Sequence, residues 1–108
     1  MSPPIPDKAF VAAASIESVP PGNASMVRLG EHLVALFNVE GIVYATTNSC
    51  PHSGGPLGKG DLAGEVVTCP WHMWSFNVRT GECVINPDER IDTYPVMIRD
   101  GQIYVKVA

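Results

Sequence analysis

Short apolar runs separated by turn residues recur along most of the chain. Near the C-terminus, Ile103, Val105 and Val107 alternate with Gln102, Tyr104 and Lys106, which places the two sets on opposite faces of an extended strand. No stretch combines sustained helical periodicity with helix caps. The pattern therefore predicts an all-β fold.

Turn residues divide these runs into hairpins. The pair Asp100-Gly101 separates apolar runs at 94–99 and 102–107, and such a pair accepts the positive φ angles of a two-residue hairpin turn. Gly41 offers a similar turn between predicted strands at 33–38 and 42–46. The remaining predicted strands lie at 26–29, 65–68, 74–78 and 83–85, the last two as a hairpin.

The middle of the chain, from about 48 to 87, differs in character from the rest. Its segments 50–58 and 69–72 are rich in Gly and Pro and break the strand pattern, so they are predicted to be loops on a β scaffold. Glycines of the first loop are expected to permit positive φ angles: Gly54, Gly55 and Gly58. At 108 residues, the chain is predicted to form one domain, 1–108, with this loop-rich segment inserted.

Each of these loops contains one cysteine and one histidine. The first has Cys50-x-His52, sixteen residues intervene, and the second has Cys69-x-x-His72. Thiolates suit iron bound to sulfide, and neutral imidazole suits iron that must be easier to reduce. These four side chains are therefore the candidate metal ligands.

The pattern C-x-H…C-x-x-H resembles the Rieske family, and the likeness extends through Pro56-Leu57, Phe76 and Thr80-Gly81. The resemblance implies an antiparallel β-sandwich as basal domain, with an inserted cluster-binding subdomain at about 48–87. It also implies one [2Fe–2S] cluster, its inner iron on Cys50 and Cys69 and its outer iron on His52 and His72. A Pro-containing loop at 86–87 would cover the cluster.

Zinc is the main alternative for the same residues. Structural zinc sites usually combine a C-x2-4-C pair with an H-x3-5-H pair, whereas each loop here mixes the two residue types. The spacing favours two adjacent irons, and a zinc-stabilised interaction module stays a minor alternative.

Four positions distinguish the high-potential from the low-potential members of the family that the chain resembles. High-potential members have a disulfide whose cysteines correspond to Gly55 and Trp71, and hydroxyl donors to the cluster that correspond to Trp74 and Phe76. Because hydrogen bonds to the sulfurs tune the potential, we expect a value near the low end of the Rieske range, about −150 mV.

This low-potential pattern is similar to the Rieske ferredoxins of bacterial aromatic-ring dioxygenases. It implies a one-electron carrier between an NAD(P)H-dependent reductase and a terminal oxygenase, monomeric in isolation. The small Rieske subunit of an assimilatory nitrite reductase is similar as well and remains the alternative.

The residues outside the four candidate ligands do not predict a catalytic site. Once His52 and His72 are assigned, only His32 remains, too few for a mononuclear iron site of two histidines and a carboxylate. No Gly-rich dinucleotide loop is present, so the chain is expected to need a reductase.

Charge and hydropathy limit which partners and which cellular compartment are expected for this protein. The net charge of −4 argues against nucleic acid, and no apolar run approaches the length of a membrane span. The N-terminus lacks a basic region followed by an apolar segment, so we expect a cytoplasmic protein.

Other chemically notable side chains have simpler interpretations. Cys83 is expected to be a buried strand residue and His32 a surface residue. Trp71 and Trp74 are expected to pack against the cluster region rather than to relay electrons.

Overall fold

The computed structural model describes residues 9–50, 55–71, 74–86 and 88–107. Within them the chain forms ten strands and two 3-10 turns, at Ile16–Ser18 and Leu57–Lys59, which confirms the all-β prediction. None of the helical segments described has the length and apolarity needed to cross a bilayer. The strands are β1 (Phe10–Ser15), β2 (Ala24–Leu29), β3 (His32–Val39), β4 (Ile42–Thr47), β5 (Asp61–Ala63), β6 (Val66–Thr68), β7 (Ser75–Asn77), β8 (Thr93–Tyr94), β9 (Val96–Arg99) and β10 (Gln102–Lys106).

The strands form three antiparallel sheets. The outer sheet has the order β1-β10-β9, the middle sheet β2-β3-β4-β8, and the small sheet β5-β6-β7. The small sheet is built from strands of three residues each, all from the segment predicted to be the insertion.

Strand β3 explains how the sheets are layered. Val34 and Leu36 belong to one buried cluster, whereas Ala35 and Phe37 belong to another, and all four side chains are fully buried. Because successive side chains of a strand point to opposite faces, β3 is covered on both sides. The middle sheet therefore lies between two cores, and this explains why β3 is apolar without alternation.

We name the two cores by their contents. The sandwich core lies between the outer and middle sheets and contains Val19, Val34, Leu36, Val43, Ala45, Ile103 and Val105. The thiol core lies on the other face of β3 and contains Ala35, Phe37, Cys50, Leu57, Val67, Cys69, Phe76, Val78, Cys83 and Ile91.

Both predicted hairpin turns are confirmed. Glu40 and Gly41 have φ angles of 52° and 95°, and Asp100 and Gly101 have φ angles of 52° and 75°. Two consecutive positive φ angles characterise the type I′ turn, whose twist matches that of the strands it joins.

The segment 94–99, predicted to be one strand, is two strands in different sheets. Tyr94 pairs with Ala45 of the middle sheet, whereas Val96 pairs with Val105 of the outer sheet. Pro95 lies between them and has no N–H to donate to a ladder. The chain therefore changes sheets at the proline.

Three further differences concern short or pairing-dependent elements. The predicted strand at 83–85 is reduced to an isolated bridge between Cys83 and Phe76. Strands β1 and β5 were not predicted, because neither has a distinctive apolar alternation in its sequence. Each becomes a strand because it pairs with a neighbouring strand: β1 pairs with β10, and β5 pairs with β6.

Candidate metal centre

Each predicted ligand loop begins at its cysteine and is closed by a backbone hydrogen bond. The N–H of Cys50 donates to the carbonyl oxygen of Gly55 at 3.0 Å, and the N–H of Cys69 donates to that of Trp74 at 2.6 Å. In both loops the bond spans five residues. The two loops therefore share the same closure, although one follows β4 and the other connects β6 to β7.

The structure brings the two predicted thiolate ligands into the same core. Cys50 and Cys69 are 2% and 0% exposed, both belong to the thiol core, and neither forms a disulfide. His52 and His72 lie outside the described residues, so their assignment as ligands stays a prediction. In the sequence each of these histidines lies between the two residues that close its loop.

The chemistry of the described donors fits a cluster with mixed ligands. An unpaired thiolate is costly to bury in apolar surroundings, whereas a thiolate bound to iron has its charge compensated. Cys50 and Cys69 lie among aliphatic and aromatic side chains at the closed ends of two loops. They can therefore bind an iron centre from the interior of the protein.

Gly58, at the end of the first loop, acts differently from the prediction. It does not have a positive φ angle. A Cβ on Gly58 would lie 2.8 Å from the Ser25 carbonyl oxygen and 2.9 Å from Oδ1 of Asn48. Gly58 is therefore required for close packing on β2, not for an unusual backbone conformation.

The third cysteine shares the core of the first two. Cys83 is 2% exposed and lies in the thiol core, which confirms that it is buried. Its sequence position, eleven or more residues from either loop, carries no signal of this proximity. The structure shows it beside Phe76, where it behaves as a small apolar side chain.

His32 is a surface residue, as predicted. Its ring meets that of Tyr94 edge-on, with centroids 6.3 Å apart and an angle of 71° between the planes. Burial raises the pKa of the Tyr94 hydroxyl, and the negative charge of Asp92 raises it further. This pair lies on the middle sheet, and neither residue belongs to the thiol core.

The two tryptophans behave differently from each other. Trp74 packs against the thiol core, as predicted. Trp71 is 52% exposed and does not belong to the thiol core, so its packing against the cluster stays a prediction. It lies in the second loop, between the hydrogen-bonded residues Cys69 and Trp74.

Sequence reasoning missed Asn48. This residue is 4% exposed and lies two positions before Cys50. Its side chain bonds to Gly58 and to Met26, which are distant in sequence. A polar residue at the end of the β4 apolar run was the available signal, but it does not reveal its partners.

The chain is similar to known iron–sulfur proteins over most of its length. The sequence profile of the Rieske [2Fe–2S] domain family matches residues 9–95. Over 98 residues the chain is 40% identical to the biphenyl dioxygenase ferredoxin subunit of Pseudomonas sp. (strain KKS102), with 89% of this chain and 90% of that protein covered.

Two solved structures extend the similarity to the fold. The Sphingomonas yanoikuyae B1 ferredoxin superimposes with a TM-score of 0.84 at 32% identity, covering 92% of this chain and 99% of the other. A Mycobacterium tuberculosis protein described as an NADH-dependent nitrite reductase small subunit gives a TM-score of 0.82 at 29% identity, covering 92% and 96%.

Proposed function

The chain belongs to the Rieske [2Fe–2S] domain family, and from this premise we propose that it is a ferredoxin that passes single electrons from a reductase to a terminal oxygenase. The observation that carries the proposal is the pair of cysteines, Cys50 and Cys69, buried in one core at the closed ends of two loops. Similarity to a dioxygenase ferredoxin subunit over nine-tenths of the chain supports the same role.

The cofactor is one [2Fe–2S] cluster, and its proposed ligands are Cys50, His52, Cys69 and His72. The segment at about 48–87 is the proposed cluster-binding subdomain of the single domain 1–108. When bound, the cluster supplies one-electron chemistry, at a potential that neutral imidazole ligands raise above that of an all-thiolate cluster. The two thiolates and the two imidazoles hold it between the loops.

The thiol core protects the cysteine side of this site from water. Leu57 and Phe76 are fully buried in the same core as Cys50 and Cys69. A dry environment around thiolate ligands influences the redox potential and keeps water from competing for the iron. The fold therefore supplies the cysteine side of the site, and His52 and His72 are the other proposed ligands.

Exposed apolar side chains lie next to these loops. Trp71 is 52% exposed, and Val84 and Ile85 are 55% and 72% exposed. The N–H of Val84 donates to the carbonyl oxygen of Ser75, just beyond the end of the second loop. Such side chains suit a transient contact with a redox partner, because association would remove their apolar surface from water and would not bury a charged group.

The proposed carrier works between two partners and is not catalytic alone. An NAD(P)H-dependent reductase would supply the electrons, and an oxygenase would accept them. The cytoplasm is the proposed compartment, since none of the three cysteines forms a disulfide and reducing conditions keep thiols in that state. The acidic chain, at −4, favours partners with a basic docking surface.

A role as the small subunit of a nitrite reductase is the second candidate. The structural similarity to the Mycobacterium tuberculosis protein, with a TM-score of 0.82, favours it specifically. The two roles differ in assembly: a subunit stays bound to its catalytic partner, whereas a carrier associates transiently.

The test begins with the composition of the purified protein. We expect two irons and two acid-labile sulfides per chain, and an EPR signal of mixed imidazole and thiolate ligation after dithionite reduction. The reduced protein should then reoxidise rapidly when a terminal aromatic-ring oxygenase is added. One zinc per chain without iron would contradict the proposal, and a stable complex with a nitrite reductase catalytic subunit would favour the second role.

A further inference from the structure

We propose that Asn48 is a positioning residue for the cluster site: it holds the turn Leu57–Lys59 against β2 and thereby sets the first ligand loop relative to the second. The inference rests on the proposed cluster-binding function, since it concerns where Cys50 lies with respect to Cys69. Asn48 itself is two residues from Cys50 and is not proposed as a ligand.

Asn48 joins the turn to the middle sheet through four hydrogen bonds. Its Oδ1 accepts the N–H of Gly58 at 2.7 Å, and its carbonyl oxygen accepts the N–H of Leu57 at 2.7 Å. On the other side, its Nδ2 donates to Sδ of Met26 at 2.9 Å and its N–H donates to the Leu33 carbonyl oxygen at 3.0 Å. The first pair fixes the turn, and the second pair fixes Asn48 to β2 and β3.

Two of these four bonds depend on the Asn48 side chain, the bond from Gly58 and the bond to Met26. Because thioether sulfur is a weak acceptor, the bond from Gly58 contributes more. Replacing Asn48 by alanine would leave the Gly58 N–H buried without its acceptor, which carries the full desolvation penalty of that group. The turn would then relax away from β2.

The turn has little freedom to relax without moving the second loop. Gly58 packs so closely on β2 that a Cβ there would lie 2.8 Å from the Ser25 carbonyl oxygen. A Cβ on Gly60 would collide with the carbonyl oxygen of Thr68, the residue before Cys69. The segment 57–60 is therefore a spacer between β2 and β6, and Asn48 holds it in place.

Leu57 extends this spacer into the core. Its side chain is fully buried and belongs to the thiol core together with Cys50 and Cys69. The segment 57–60 therefore contacts β2 through Gly58, β6 through Gly60, and the thiol core through Leu57. A shift of the turn would be transmitted to the cysteines.

Asn38 provides a matched control in the same sheet. It is also buried, at 2% exposed; its Nδ2 donates to the Val19 carbonyl oxygen at 2.7 Å, and its Oδ1 accepts the N–H of Gly41 at 2.8 Å. One partner, Gly41, lies at the hairpin of β3 and β4, and the other, Val19, belongs to the sandwich core; neither belongs to the thiol core. Asn38 therefore has an equivalent bonding role without a connection to the site.

The experiment compares holoprotein of the wild type, Asn48→Ala and Asn38→Ala. We expect cluster loss in the presence of a chelator to be about tenfold faster in Asn48→Ala, the factor that corresponds to one unsatisfied buried group. The EPR line shape and the midpoint potential should also shift. Asn38→Ala should lower the thermal midpoint while leaving the EPR signal, the potential and the rate of cluster loss unchanged.

Several results would overturn the positioning role of Asn48. If Asn48→Ala loses stability alone, with wild-type EPR signal and potential, the proposal is overturned. If Asn48→Ala does not retain a cluster, the experiment uses Asn48→Asp instead. The aspartate keeps an oxygen that accepts the Gly58 N–H, so this variant should show the wild-type EPR line shape. Loss of that line shape in Asn48→Asp would also overturn the proposal. Wild-type protein without iron would refute the proposed function, and the hydrogen-exchange rate of the Gly58 amide in Asn48→Ala would then test the turn by itself.

Discussion

The two faces of β3 support cores of different chemistry. On one face the sandwich core contains only aliphatic side chains, including Val34 and Leu36. On the other face the thiol core contains all three cysteines of the chain together with Phe37 and Phe76. One strand therefore separates a region that only has to be stable from a region that also has to bind a cofactor.

The cores also differ in how the backbone around them is organised. Opposite the middle sheet, which both cores share, the sandwich core is covered by the outer sheet, whose β1–β10 and β10–β9 ladders have five and four paired positions. The small sheet beside the thiol core has ladders of three paired positions, supplemented by isolated bridges such as Ser49–Pro56. Short ladders unfold locally at low free energy. We infer that bound cofactor contributes more to the stability of the thiol core than to that of the sandwich core.

The largest expected effect comes from removing a thiolate. Cys69→Ala should abolish the visible absorption and the iron content, because the cluster would lose one of its two proposed cysteine ligands. Cys83→Ala is the matched control, since Cys83 is equally buried in the same core and is not a predicted ligand. Metal analysis and absorption spectra check both variants; a fully retained cluster in Cys69→Ala, or its loss in Cys83→Ala, would contradict the site.

A pair of buried leucines tests the comparison directly. Leu57 and Leu36 are both fully buried, one in each core. Each change to alanine should lower the free energy of unfolding by about 2–5 kcal/mol, from lost transfer energy and the cavity left behind. Urea denaturation measures this loss.

Only Leu57→Ala should also accelerate release of the cluster to a chelator, followed by bleaching of the visible absorption. Leu36→Ala, measured where it is still folded, should bleach at the wild-type rate. Equal acceleration by both leucine changes would show that the two cores do not behave as separate regions.

His72→Cys sharpens the comparison within the site. An added thiolate places more negative charge on the cluster and disfavours its reduction, so the midpoint potential should fall by roughly 100 mV from a wild-type value of about −150 mV. Protein-film voltammetry measures the shift. His32→Gln is the control, because His32 lies on the surface against Tyr94 and should leave the potential unchanged. A higher potential in His72→Cys would count against the assignment of this ligand.

The smallest effect is expected on the surface of the subdomain. Nε of Arg79 lies 3.1 Å from Oε1 of Glu65, and their side chains are 55% and 41% exposed. Arg79→Ala should lower the free energy of unfolding by less than about 0.5 kcal/mol, because exposed ion pairs are screened and entropically costly. Urea denaturation at low and high salt checks this. A loss above about 1 kcal/mol would place unexpected stability at this surface rather than in the thiol core.

Much of this architecture was predictable from local patterns. The Asp100-Gly101 turn and the turn at Gly41 follow from residues that accept positive φ angles, and both are present. The cysteine and histidine spacing led to the Rieske family, and the family profile confirms it over residues 9–95. The two histidines of that pattern lie outside the described residues and stay predictions as ligands.

The errors have a common physical origin. The segment 94–99 looks like one strand because its side chains suit a strand, but the ladder partners of Tyr94 and Val96 belong to different sheets. Gly58 looks like a turn glycine, but its role is set by the approach of β2. In each case the deciding contact involves residues far away in the sequence.

By itself, the sequence determined the all-β class, the two hairpin turns and the ligand pattern, because each depends on neighbouring residues and on the chemistry of their side chains. Only the tertiary structure decided that β3 is buried on both faces, that Cys83 joins the ligand cysteines in one core, and that Asn48 fastens the turn of Gly58 to Met26 and β2. The reason is that packing joins segments which are distant along the chain, and a local pattern specifies which face is apolar without specifying what will cover it.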